Sequence, residues 1–133
     1  MKIFDVQAIA IKRPADDVFA YVAEPANLPK WTNAFTRADA TSADLATPNG
    51  ALAIGLETLT SREARTVDWK MIMPDGSIGM AFSRITPDGD THSIYSFVLM
   101  APPVPLEMLE GALAAQIVTL GEELKKLRAT LEA

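Results

Sequence analysis

Apolar residues stand at Leu106, Leu109, Leu113, Ile117, Leu120, Leu124, Leu127 and Leu131, three or four positions apart throughout. That spacing lays one continuous apolar stripe along a single helix of about 26 residues, ~39 Å long. Glu107 and Glu110 fall in its early turns, and Lys125, Lys126 and Arg128 near its end, which suits the helix dipole. A stripe this long has to be covered. A second helix could cover it, as in a coiled coil, or a sheet could.

The rest of the chain supplies strands. Residues 63–73, EARTVDWKMIM, alternate in character. Arg65, Val67, Trp69, Met71 and Met73 share one face; Thr66, Asp68, Lys70 and Ile72 share the other. A period of two means strand, with the bulky face buried. Pro74-Asp75-Gly76 then turns the chain, residues 77–86 return, and the same tripeptide at Pro87-Asp88-Gly89 turns it again into residues 90–101. Such an antiparallel meander needs one covered face, so the helix is predicted to pack on the sheet.

Upstream, residues 3–13 read as a strand closed by Pro14. Residues 15–23 read as a short helix with Val18, Phe19 and Val22 on its apolar face. Asp16 and Asp17 lie in its first turn, where exposed amides favour negative charge; that explains them without catalysis. Pro25 and Pro29 set off a shorter helix ending near Trp31. Residues 33–41 are read as a strand and 51–60 as another, interrupted by Gly55. Between them, SADLATPNG at 42–50 is read as a loop, because Ser, Asp, Pro, Asn and Gly cluster there. The chain is one α+β domain over residues 1–133: a curved antiparallel sheet around a long C-terminal helix, with two short helices after the first strand. One helical stripe cannot fill a strongly twisted sheet, so a cavity between them is expected.

Several functions are excluded or disfavoured. The chain has no cysteine and one histidine, so disulfides, thiolate metal sites and thiol nucleophiles are ruled out, and no metal or cofactor is expected. A net charge of −5 without a Lys/Arg cluster argues against nucleic acid. No apolar run approaches the ~20 residues of a membrane helix. The N-terminus carries Asp5 and no small-residue cleavage signal, so it is not read as a signal peptide, and a cytoplasmic location is expected. Strand parity puts His92 on the face opposite Ser93, Tyr95 and Phe97, so His92 and Ser93 form no dyad and one histidine supports no Ser/His/Asp arrangement.

Residues 11–31, IKRPADDVFAYVAEPANLPKW, resemble the opening strand and helix pair of the START-related SRPBCC superfamily, in its polyketide cyclase/dehydrase and lipid transport branch. PDGDTHSIYSF, residues 87–97, resembles a strand of the same family, and the final helix fits as well. The resemblance implies the helix-grip fold and puts the Tyr95/Phe97 face of the last strand inward. It identifies fold more than activity.

The expected cavity lining is Trp31, Arg65, Trp69, Met71, Phe82, Tyr95, Phe97, Leu113 and Ile117. Arg65 is the sharpest candidate, because a buried guanidinium needs a partner or an anionic ligand. A salt bridge to an acid such as Glu57 or Glu63, or a head group reaching water, is the plainer explanation. Small residues at Gly111, Ala112, Ala114 and Ala115 leave room against the sheet, and methionines at 71, 73, 80, 100 and 108 suit an adaptable pocket. The leading expectation is an apolar small-molecule binder, with Arg65 and Tyr95 orienting the ligand. A polyketide cyclase-type enzyme, with Arg65 steadying an enolate and Tyr95 as acid, is the alternative. An interaction module with a filled core is the third. Apolar Ile72, Ile94, Val98 and Met100 on the opposite, convex face suggest a homodimer through that surface.

Overall fold

The computed structural model describes residues 3–47, 50–101 and 106–133, with side chains of the last segment described from Leu113 onward. Strand β1 (Phe4–Ile11) is followed by helix α1 (Ala15–Ala23), a 3-10 turn (Pro25–Asn27) and helix α2 (Leu28–Trp31). Six strands follow: β2 (Phe35–Ala38), β3 (Ser42–Thr47), β4 (Gly50–Ser61), β5 (Thr66–Ile72), β6 (Ile78–Asp88) and β7 (His92–Met100). Helix α3 (Leu106–Glu132) ends the chain.

The strands form one antiparallel, half-barrel sheet in the order β1-β7-β6-β5-β4-β3-β2. β1 and β2 therefore lie at opposite edges, and α1 and α2 carry the chain across the sheet between them. Alternation along each strand separates two faces. Ile11, Leu56, Val67, Trp69, Ile85, Tyr95 and Phe97 are buried on the concave side with Leu120, Leu124, Leu127 and Leu131 of α3. The leucine stripe thus meets the sheet rather than another helix. Gln7 of β1 fastens α3 in place, donating from Nε2 to the Ile117 carbonyl at 2.9 Å.

The α1–α2 segment is a scaffold element. Pro14 precedes α1, and its carbonyl accepts from the Asp17 and Val18 amides. Asp17 pairs with Arg13 at 2.8 Å and Asp16 with Arg65 at 2.9 Å. Glu24 accepts from the Ala26 amide and caps the 3-10 turn. All three acids of this segment are therefore engaged in holding the scaffold, Asp17 and Glu24 locally and Asp16 across to the turn before β5.

Two sequence readings are corrected. Residues 42–47 are a strand, β3, not a loop: they pair with β4 from Ser42↔Gly55 to Thr47↔Gly50, and Ala43 is fully buried. Their polar side chains face outward into a clamp, with Arg37 of β2 holding Asp44 at 3.1 Å and Asp39 at 2.8 Å. Asp39 also accepts from the Thr41 and Ser42 amides. These bonds hold its carboxyl down at about 2. The two Pro-Asp-Gly tripeptides also differ. The first lies in the turn, with Gly76 at φ +86°. In the second, Pro87 and Asp88 remain paired with Ser93 and His92, and the reversal begins at Gly89.

Part of the convex face is apolar. Val6, Val98 and Phe82 are cross-strand neighbours on β1, β7 and β6, and Phe4 pairs with Met100 in the adjoining row. Phe4, Val6, Phe82 and Ile94 are exposed there, and Met100, also exposed, borders the cavity between the sheet and α3.

Candidate functional site

Strand parity and the α1–α2 crossing leave a space between the concave face and α3. It is a cavity of about 330 Å³, partly open to solvent. The sheet side is apolar: Trp69 and Met71 of β5, Gly79 and Ala81 of β6, Phe97 and Leu99 of β7. α2 and the chain after it add Leu28, Trp31, Thr32, Ala34 and Phe35. α3 contributes Ala115, Gln116, Thr119, Leu120 and Glu123. The cavity is therefore two-sided, with a greasy sheet wall facing a helix wall that carries polar groups.

An aromatic cluster frames the inner end. The Trp31 ring lies 6.5 Å from Trp69 and 6.2 Å, nearly edge-on, from Tyr95. Trp69 stacks on Phe97 at 5.9 Å. These geometries suit aromatic quadrupoles and make the end wall rigid.

Of the residues expected from sequence to line the cavity, Trp31, Trp69, Met71 and Phe97 do so. The others are placed elsewhere. Arg65 is not on the strand: β5 begins at Thr66, and Arg65 sits in the preceding turn at φ +55°. Strand alternation does not reach it, and its guanidinium turns to Asp16 of α1 rather than to Glu57, Glu63 or the cavity. Arg62 beside it lies over the Phe19 ring at 5.5 Å, so the β4–β5 turn grips α1 at two points.

Phe82 belongs to the opposite parity from Ala81 and Ser83, opposes Asp68 across β5, and lies exposed on the convex face. Tyr95 points inward but is sealed beneath Trp31 and Phe97, and does not border the open space. Burial pushes its phenol well above the usual value, which the neighbouring Ser83 hydroxyl offsets only in part. The Ser83 hydroxyl itself donates to the Val67 carbonyl at 2.6 Å. A phenol so covered cannot exchange protons with a ligand. Leu113 is buried in packing, and Ile117 lies against Gln7 of β1; neither borders the cavity.

A consequence for Arg65 is testable. A non-glycine residue in the left-handed region costs about 1 kcal/mol or slightly more, and an exposed ion pair returns about 0–1 kcal/mol. Arg65→Gly is therefore expected to stay within about 1 kcal/mol of the parent in urea unfolding. Ligand affinity should remain within twofold. A tenfold affinity loss would restore Arg65 to the site.

The residues missed from sequence are the polar ones of α3. Gln116, Thr119 and Glu123 stand at i, i+3 and i+7, one helical face. The Glu123 carboxylate accepts from the Asn33 amide at 2.6 Å, which ties α3 to the chain after α2. Burial pushes the Glu123 pKa up, against the opposing pull of the Asn33 and Ala34 amides and Lys126; Glu122 adds to the rise.

No curated protein matches this sequence. Solved structures do. One domain of BexL, the di-domain aromatase/cyclase of the BE-7585A biosynthetic pathway, superposes with a TM-score of 0.77 at 16% identity. The match covers 99% of this chain but 47% of BexL, so this chain spans about half of that protein. A START superfamily protein from Mycobacterium smegmatis gives 0.72 at 12% identity, covering 98% and 99% of the two chains. The ZhuI aromatase/cyclase from Streptomyces sp. R1128 gives 0.69 at 10% identity, covering 97% and 93%. At these identities the likeness is one of fold. Among the described residues no helix is long and apolar enough to cross a membrane. The sequence itself matches the profile of the polyketide cyclase/dehydrase and lipid transport family over residues 6–132, so the chain belongs to that family.

Proposed function

We propose that this chain binds an apolar small molecule, lipid-like or polyketide-like, in the cavity between the sheet and α3. The observation that carries the reading is the lining: an aromatic and aliphatic wall around a partly open space with room for a ligand. Its size falls at the small end of the roughly 300–1,000 Å³ usual for ligand pockets. Affinity would come from removing apolar area from water, about 25 cal/mol per Å². Trp31, Trp69, Met71 and Phe97 would be the main contacts. The methionines at the cavity wall would adapt to ligand shape.

An enzyme of the polyketide cyclase type would work in the same space, and the aromatase/cyclase names of BexL and ZhuI favour looking for one. The geometry favours carriage. Arg65 is held by Asp16, and the Tyr95 hydroxyl is covered, so neither reaches a bound ligand.

The test is saturable binding of a neutral fluorescent apolar probe, 1-N-phenylnaphthylamine. One probe per chain is expected, with quenching of the Trp31/Trp69 emission. Absence of saturable binding, with the protein folded by circular dichroism, would end the reading.

A further inference from the structure

The cavity's two walls differ, and the difference selects among apolar ligands. Among the described lining residues there is no lysine, arginine or histidine. Of the positions outside the description, 48–49 and 102–112 contain none either, and Lys2 is the one cation. The ionisable side chain of the described lining is Glu123. It is half-buried, and its position is fixed because one oxygen accepts from the Asn33 amide at 2.6 Å. A carboxylate has about four acceptor sites, so it keeps capacity for a further donor. Thr119 and Gln116 lie one and two turns before it on the same helix face.

From this arrangement we infer that the cavity takes an apolar ligand carrying a neutral hydroxyl donor, an alcohol or phenol, which donates to the Glu123 carboxylate, and that it rejects carboxylates such as fatty-acid anions. This rests on the binding reading above and narrows its ligand class. The physical reasons are two. A hydroxyl donating to a carboxylate makes a charge-assisted bond, stronger than a neutral one when water is excluded. An anionic ligand would be desolvated beside a second negative charge with no cation among the described lining side chains to neutralise either. Arg65, the cation expected there from sequence, is turned to Asp16.

The burial of Glu123 is consistent with a functional cost. Its raised pKa means that folding favours the protonated form. Its contribution to stability is therefore greatest in acid and declines as pH rises through the folded value. Glu122 and Lys126 on α3, and the Asn33 and Ala34 amides opposite, are the groups acting on it. Glu123→Gln retains an acceptor for Asn33 and carries no charge. It is expected to unfold at or above the parent's temperature at pH 7, so binding by this variant can be read on a folded protein.

The experiment is displacement of 1-N-phenylnaphthylamine at pH 7 by three compounds on one ring system: 2-naphthol, 2-naphthoate and 2-methylnaphthalene. In the parent, 2-naphthol should bind at least tenfold tighter than 2-naphthoate and several-fold tighter than 2-methylnaphthalene. In Glu123→Gln the naphthol/naphthoate ratio should fall to within about threefold, chiefly because naphthoate gains. Arg65→Gly should keep the parent's ratio. Equal or tighter binding of naphthoate to the parent, or a ratio unchanged in Glu123→Gln, overturns the inference while leaving the binding reading standing. If none of the three compounds displaces the probe, the ligand class inferred here is wrong. If the probe itself does not bind, the binding reading falls first.

Discussion

Trp31→Ala is expected to lower stability by about 3–5 kcal/mol, the usual range for truncating a buried tryptophan. Against a total of roughly 5–15 kcal/mol for a domain, that is a large fraction. The unfolding midpoint should drop by roughly 10–20 °C. Three features set the size of the effect. Trp31 is buried almost completely at the end of α2. It is the ring through which α2 meets both Trp69 of β5 and Tyr95 of β7. It also borders the cavity, so its removal enlarges a space that already exists. Trp31→Phe, which keeps a ring against Tyr95, should recover more than half of the loss. A Trp31→Ala loss below 1 kcal/mol in urea unfolding would mean that α2 is not held by the aromatic cluster.

The sequence made the frame legible where one period dominated. The leucine spacing from 106 to 131 announced α3, whose described residues pack as expected, while the side chains of Leu106 and Leu109 lie outside the description. The prolines at 14 and 25 bracketed α1 closely. Failures came where a neighbouring element decides the outcome. In β3, loop-forming residues are held straight by partners on both sides and by the Arg37 clamp, none of them local. At Arg65 the alternation was extended one residue into a turn, and a positive φ reset the direction of the side chain. Phe82 is among the lining residues expected from sequence, but the parity of Ala81, Ser83 and Ile85 turns it outward. Tyr95 faced the correct way, yet facing inward is not the same as bordering a cavity, and only packing decides which inward residues are covered. Glu123 was hidden in plain spacing. Its stripe with Gln116 and Thr119 reads as a solvated face until the packing shows that it borders the cavity.

Gly79→Leu is expected to weaken binding of 1-N-phenylnaphthylamine at least tenfold, about 1.4 kcal/mol, without loss of stability. Gly79 lies on β6 opposite Met71 and borders the cavity. A Cβ there would stand 3.4 Å from Met71 Cε and 3.9 Å from Met71 Cβ and Met73 Cε, which is ordinary contact, made mainly with flexible thioether ends. Glycine weakens a strand interior, so a branched side chain should hold β6 at least as well as the parent residue does. Alternation then leaves the leucine little choice: it shares the concave face with Ala81, and its outer carbons must enter the space a ligand would occupy. Gly79→Ala, with the Cβ alone, should cost only a few-fold. The graded pair separates volume from fold, because both variants should keep the parent's unfolding temperature while affinity falls in step with side-chain size. Undiminished probe binding by folded Gly79→Leu would place the ligand somewhere other than between the sheet and α3.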